Sequence, residues 1–394
     1  MEVKLIEQLK GRFVELYGGN AADIAVYHAP GRVNLIGEHI DYNGGYVFPA
    51  ALTIGTALLF RRRTDDVLNM ASEGFALTVQ KSLSDLNYQA ADDWSNFPKG
   101  VISLLNDEQA ISSGFDMLFY GNIPNGSGLS SSASIEVLTA YAILDQENRE
   151  IDRTQIALLA QQAENEYIGV KCGIMDQFAI AQGKKDHAVL LRCNDLNYDQ
   201  VPFESGSYQL VIGNTNKRRE LAHSAYNERR GQCEAAVEIL RTEASGLENL
   251  KWLADLSEAQ YSEVSHVLED EVMQRRARHV VEENARVLRS VELLRQGNLE
   301  EFGKMMTLSH ESLRDLYEVS CRELDVMVDT ALQVPGVLGA RMTGAGFGGC
   351  TVSLVHEDHV EEFIRIVGDT YNRETGLTGE FYVSKIGDGV RRVE

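Results

Sequence analysis

Between Pro124 and Ser134 the chain reads PNGSGLSSSAS and then passes into the apolar run IEVLTAYAIL. The pattern dictates a tight glycine-containing loop that opens a helix. Gly126 and Gly128 permit positive φ and a close approach of backbone to a ligand. Ser127, Ser130, Ser131 and Ser132, with Leu129 among them, bring short hydroxyls and unpaired backbone N–H groups to the helix start. Free donors and the positive end of the helix dipole together favour an anion such as phosphate. Taken alone, the segment is equally a turn with a serine cap, so its meaning depends on the rest of the chain.

A chain of 394 residues is long enough for two domains and a substantial core. The net charge of −22 speaks against nucleic acid, whose backbone requires a basic field. A nucleotide therefore has to be held by a local device such as Mg²⁺ or a helix N-terminus. The five cysteines, Cys172, Cys193, Cys233, Cys321 and Cys350, are scattered and form no C-x-x-C pair, which points to reduced thiols rather than a zinc site or a disulfide framework. Residues 1–17 mix charged and apolar positions at helical spacing and read as an amphipathic helix, not a signal peptide. The longest apolar stretch, residues 47–60, is interrupted by Pro49 and Gly55 and is too short to span a bilayer. A soluble, cytoplasmic protein without a membrane partner is expected.

Strand-like runs (TIGTALLF, AVLLRC) share the first half with helical patterns at 134–144 and 153–168. Ile156, Leu159, Ala160, Ala163 and Tyr167 mark the buried stripe of the second. Residues 222–334 read as mostly helical, and GARMTGAG, CTVSLVH and EFYVSKIG return to strands. This alternation predicts two α+β domains, 1–200 and 201–394, with a boundary near 195–205.

Two common nucleotide sites are excluded. No G-x-x-x-x-G-K-[ST] loop occurs. Gly344, Gly346 and Gly349 satisfy G-x-G-x-x-G, with Asp369 further on, but a strand pattern from Cys350 follows where a dinucleotide fold must open a helix. The segment is better read as a connection between two strands. His356-Glu357-Asp358-His359 lacks H-E-x-x-H spacing and reads as a polar turn before a helix. The basic run Lys217-Arg218-Arg219, with Arg229-Arg230, reads as a solvated face with a lesser claim on nucleotide phosphates.

Residues 31–45, GRVNLIGEHIDYNGG, and residues 343–350, TGAGFGGC, stand on either side of the serine loop. In that order the three segments resemble the signature motifs of the GHMP small-molecule kinases, and the first is close to the galactokinase signature. The resemblance extends along nearly the whole chain through GIMDQFA (173–179), SAYNERR (224–230) and RRARHVVEEN (275–284). It implies a two-domain α+β fold, with a mixed sheet and an unusual βαβ crossover in the first domain, a ferredoxin-like second domain and the site in the cleft between them. It also implies ATP-dependent phosphorylation of α-D-galactose at the anomeric hydroxyl, the entry step of galactose catabolism, by a monomer.

By resemblance, Asp176 and Arg32 are catalytic, and Glu38, His39, Ile40, Asp41 and Tyr226 face the sugar. Ser72 and Gly126 to Ser132 contact the nucleotide, and Ser132 and Glu164 hold Mg²⁺. The chemistry agrees: a carboxylate can orient or deprotonate a sugar hydroxyl, and an arginine stabilises charge on the transferring group. Hard oxygens with nucleotide phosphates suit Mg²⁺. Outside the motifs each residue would have a plainer reading: an ion pair for Arg32 and Asp176, a solvated helix face for Glu164, a surface turn for Ser72, and simple packing for Tyr226. Ile40 stands where the family generally has threonine, and Arg322 where it has proline. Two alternatives stay open: a kinase for N-acetylgalactosamine or another sugar, and a non-catalytic galactose and ATP sensor. Sensors have a shortened serine loop, whereas Ser130 to Ser134 is intact here.

Overall fold

A computed structural model describes residues 3–124, 128–217 and 222–394. The N-terminal segment forms a helix, Val3–Tyr17, that buries Ile6, Leu9 and Phe13. These side chains pack on Val26, Leu59, Ala71 and Leu118, which face outward from a six-stranded sheet. In spatial order its strands are Arg391–Arg392, Ala25–Asn34, Pro49–Arg62, Phe115–Gly121, Val67–Ser72 and Val79–Ser82. All neighbours are antiparallel except Val67–Ser72 with Phe115–Gly121, and the helix Asn96–Asp107 lies between that parallel pair in sequence. The mixed sheet is thus the one the motifs imply. The opposite face carries the helices Ser131–Gln146 and Met175–Gln182, and Arg153–Gln162 packs on both of them.

After a small three-stranded sheet (Tyr46–Val47, His187–Arg192, Tyr198–Pro202), the chain enters a four-stranded antiparallel sheet at Tyr208–Asn214. Its spatial order is Val337–Thr343, Cys350–His356, Tyr208–Asn214, Glu380–Ser384. With the helices Arg322–Ala331 and Val360–Thr375 this is the ferredoxin-like βαββαβ arrangement. Between its first strand and the Arg322–Ala331 helix lie the long helices Ala222–Glu243, Glu271–Arg295 and Leu299–Asp315. Leu299–Asp315 lies flush on Val337–Thr343, because Gly303 and Gly339 face one another and a Cβ on Gly339 would stand 2.1 Å from the Gly303 carbonyl.

The last strand leaves this half of the molecule. Arg391 and Arg392 pair with His28 and Tyr27 at the edge of the first sheet. Val393 N–H and the Glu394 carbonyl continue the pairing at Val26. The 343–350 segment is a connection between two antiparallel strands, and residues 357–359 form a 3-10 turn before a helix, as the sequence indicates. All five cysteines are free thiols. Among the described residues no helix is long and apolar enough to cross a membrane.

Candidate active site

The strand Ala25–Asn34 carries a register shift between Pro30 and Arg32 at its junction with Pro49–Arg62. There Arg32 N–H bonds to the Leu129 carbonyl and its Nη1 to the Gly128 carbonyl at 2.7 Å. The rest of the guanidinium makes a bidentate pair with Asp176, with Nε to Oδ1 and Nη2 to Oδ2 both at 2.9 Å. Asp176 stands in the first turn of the helix Met175–Gln182 and also accepts from Ser130 Oγ at 2.5 Å. Arg32 is buried while the Asp176 side chain is 31% exposed, so the pair is buried on the arginine side and opens to the cleft on the carboxylate side.

Ser130 takes the left-handed conformation (φ 63°, ψ 49°) just before the helix Ser131–Gln146. This turn aims the helix N-terminus, with Ser131 and Ser132, into the same cleft. Ser132 Oγ donates to Glu164 Oε1 at 3.1 Å. Glu164 lies in a π-helical turn, Ala163–Ile168, that prolongs the helix Arg153–Gln162, and its Oε2 accepts from Gln177 Nε2 at 2.7 Å. Burial, then the charge of Asp176, raises the Glu164 pKa. Behind it Glu136 is fully buried, and burial with the neighbouring Glu164 charge pushes its carboxyl well above the usual range. Sequence reasoning missed Glu136, which reads only as one position of an apolar helix.

On the other wall, Asp41 opens a 3-10 turn, Asp41–Asn43. It is half-buried, and burial, opposed by the Tyr42 backbone N–H and aided by Asp176 and Glu38, pushes its pKa up to about 6. It lies directly against Gly173, where a Cβ would stand 1.8 Å from Asp41 Oδ2. Glu38 is almost fully buried, and its Oε1 accepts from Gly344 N–H at 2.7 Å and Thr343 Oγ1 at 3.1 Å, with Arg341 behind it at 3.5 Å. The ring of Tyr226 is 5.5 Å from that of His39 and 5.3 Å from that of Tyr42.

These walls enclose a cleft of about 1260 Å³, larger than a single small-molecule pocket of roughly 300–1,000 Å³. Arg32, Gly128, Ser130, Ser131, Ser132, Glu164 and Asp176 line it on one side, and Glu38, His39, Asp41 and Tyr226 on the other. Three expected residues are not brought to it. The Ile40 side chain is fully buried in the core, and its carbonyl accepts from Asn43 and Gly45 N–H, so neither its side chain nor its carbonyl is directed at a sugar. Leu129 likewise packs in the core and gives its carbonyl to Arg32. Ser72 ends a strand beside Phe119, outside the lining. Gly126 and Ser127 lie outside the described residues.

The basic run divides. Lys217 and Arg230 line the cleft, paired with Glu323 and Glu234, whereas Arg229 turns away to the Tyr317 and Glu318 carbonyls. Arg218 and Arg219 lie outside the described residues. Sequence reasoning also missed Gly173, Asn214 and Ala345 as lining residues. Among the described residues no group of three or more histidine, cysteine or carboxylate side chains could hold a metal ion.

Residues 11–62 match the galactokinase galactose-binding signature, 96–184 the GHMP kinase N-terminal domain and 290–373 the GHMP kinase C-terminal domain. A galactokinase of Halalkalibacterium halodurans is 49% identical over 99% of this chain and 98% of its own. One from Fusobacterium nucleatum is 48% identical over 99% and 100%. The structure of Lactococcus lactis galactokinase complexed with galactose superposes with a TM-score of 0.94 at 42% identity, covering 99% of this chain and all of that one. A mevalonate kinase at 21% identity and a TM-score of 0.62 shares the fold.

Proposed function

Because this chain belongs to the galactokinase family, we propose that its cleft moves the γ-phosphoryl group of ATP onto the anomeric hydroxyl of galactose, giving α-D-galactose 1-phosphate and ADP. One observation carries the reading: the Arg32–Asp176–Ser130 constellation lies where the serine-loop helix meets the sugar loop. The helix N-terminus at Ser131 offers N–H groups to the nucleotide phosphates. Asp41, Glu38 and Tyr226 form the wall for the sugar hydroxyls. Asp176, with one face open to the cleft, receives or orients the proton of the attacking hydroxyl. Arg32 fixes that carboxylate in two-point geometry and places positive charge beside the transferring group.

Mg²⁺ fits the same wall. It takes few protein oxygens and completes its shell with phosphates and water. Ser132 Oγ and the Glu164 carboxylate, 3.1 Å apart at the helix start, are hard oxygen donors and would hold it. Bound there, the ion supplies neutralisation of phosphate charge.

The test is ADP release across galactose, N-acetylgalactosamine, glucose, mevalonate and homoserine. Turnover should be highest with galactose. A different preferred acceptor would reassign the substrate, and sugar binding without ADP release would leave a sensor.

A further inference from the structure

Of the residues that resemblance assigns to the sugar, His39 is the one whose ring nitrogens both have protein partners. Nε2 lies 3.1 Å from the Ala345 carbonyl oxygen and Nδ1 lies 2.8 Å from the Tyr42 hydroxyl. A carbonyl only accepts, so Nε2 carries a proton. The ring is neutral, because burial, reinforced by His279, pushes its pKa down to about 3. Nδ1 is then an acceptor, and the Tyr42 hydroxyl must donate to it.

The same logic propagates outward. The Tyr42 oxygen is 2.9 Å from the Tyr317 hydroxyl, which is left to donate there. The Tyr317 oxygen is 3.2 Å from Cys233 Sγ, whose S–H completes the chain. The direction of every proton from Cys233 through Tyr317 and Tyr42 to His39 follows from one acceptor, the Ala345 carbonyl. The Tyr317 ring is held between His39 and His279, with centroids at 5.0 and 4.5 Å.

The relay joins distant parts of the fold. His39 and Tyr42 belong to the sugar loop, Cys233 to the helix Ala222–Glu243, and Tyr317 follows the helix Leu299–Asp315. Ala345 belongs to the glycine-rich connection after Val337–Thr343, which also faces the serine loop: a Cβ on Gly344 would stand 3.5 Å from the Gly128 carbonyl. Beside His39, Glu38 accepts from Gly344 N–H. Two consecutive residues of one loop therefore grip two consecutive residues of the other, one through an N–H and one through a carbonyl. His39 does so at φ 62°, a conformation a non-glycine residue keeps only where its surroundings impose it.

We infer that His39 is a positioning residue: an Nε2–H imidazole, its tautomer fixed by the Ala345 carbonyl and its ring held by the Cys233–Tyr317–Tyr42 relay, that latches the glycine-rich connection to the sugar loop instead of hydrogen-bonding the sugar. From the proposed function this takes only that sugar and nucleotide meet in the cleft. A latch between the two loops affects both substrates, whereas a sugar contact affects one.

Tyr42→Phe and Tyr317→Phe remove the hydroxyls while keeping the rings, which limits disturbance of the packing. In ¹⁵N-histidine NMR of the full chain, the wild-type His39 signal, identified by its loss in His39→Gln, should show an Nε2–H tautomer unchanged between about pH 6 and 8. Tyr42→Phe leaves the Ala345 carbonyl in place and should keep the Nε2–H tautomer while shifting the Nδ1 resonance towards that of an acceptor without a donor, and Tyr317→Phe should shift it by less. Both variants should raise KM for galactose and for Mg·ATP together, by roughly fivefold or more. His39→Gln, which can still donate to Ala345, should retain more activity than His39→Ala. An Nδ1–H or doubly protonated ring in the wild type overturns the inference, and so does a Tyr42→Phe enzyme in which KM rises for galactose alone. The NMR result needs no turnover, so it stands or falls separately from the choice of sugar substrate.

Discussion

A methyl group added at residue 173 would land on the Asp41 carboxylate, which we propose faces the sugar. The Cβ of Gly173→Ala would stand 1.8 Å from Asp41 Oδ2 and 2.6 Å from its Cγ. Non-bonded heavy atoms settle at roughly 3.5–4.0 Å, so the carboxylate must swing away by on the order of 1.5 Å. The loop backbone cannot follow, since Asn43 Nδ2 holds the His39 carbonyl at 2.9 Å and Asn284 Oδ1 holds Tyr46 N–H at 2.8 Å. The side chain rotates into the open cleft instead, and the protein stays folded. A hydrogen bond to a charged acceptor contributes about 1.5–3 kcal/mol, so kcat/KM for galactose should fall roughly ten- to hundredfold. KM for Mg·ATP should hardly change. Steady-state ADP release measures both quantities, and a double-mutant cycle with Asp41→Ala isolates the cause. Once the carboxylate is gone the methyl group has nothing to displace, so the second substitution should cost almost nothing. Losses that multiply in the double variant, or wild-type galactose use in Gly173→Ala, would refute the reasoning.

Asp176→Asn and Arg32→Ala should each lower kcat by roughly two to four orders of magnitude in a protein of unchanged melting temperature, because each removes an interaction strongest in the transition state. If turnover falls only along with melting temperature, the pair is structural. Glu164→Gln and Ser132→Ala should raise the Mg²⁺ concentration needed for half-maximal activity and leave galactose binding, followed by calorimetry, nearly intact. The reverse pattern would exchange their roles. The Asp41 pKa of about 6 predicts that kcat/KM for galactose falls as pH drops through that value, since the protonated acid loses acceptor capacity. Its sign for stability is opposite. The folded carboxyl retains a proton that an unfolded one, near 3.8, releases, so this contribution to stability is lost as pH rises towards 6. An Asp41→Asn enzyme whose profile keeps the same inflection would move the titration to another group.

Local pattern carried the elements whose side chains repeat with a clear period. The mix of charged and apolar positions over residues 1–17 marked the first helix, whose buried residues are Ile6, Leu9 and Phe13, and the strand pattern after Gly349 separated the glycine-rich connection from a dinucleotide loop. Arg32, Glu38, His39, Asp41, Ser130, Ser131, Ser132, Asp176 and Tyr226 also lie in the cleft, because a buried polar group must have a partner and several of these partners converge there. What the sequence hid was tertiary. Ile40 sits between two lining residues, yet the 3-10 turn at Asp41 sends its side chain into the core. Arg229 and Arg230 are adjacent, but the helix turns Arg230 to the cleft and Arg229 away from it. Tyr317 and Cys233 carry no local signal, since a lone hydroxyl or thiol among charged and polar neighbours matches no motif and their contact joins residues 84 apart in sequence.

The pairing of Arg391 and Arg392 with the strand Ala25–Asn34 sets an order on biosynthesis. The ribosome delivers the first sheet early and the strand that covers its edge only after the whole second unit. Until then the backbone groups of Val26 to His28 stay open, and an open edge is a template for pairing with the wrong chain. Folding unit by unit as each half emerges can therefore assemble the first half but not seal it. Chaperone dependence and aggregation during synthesis should both centre on this one seam.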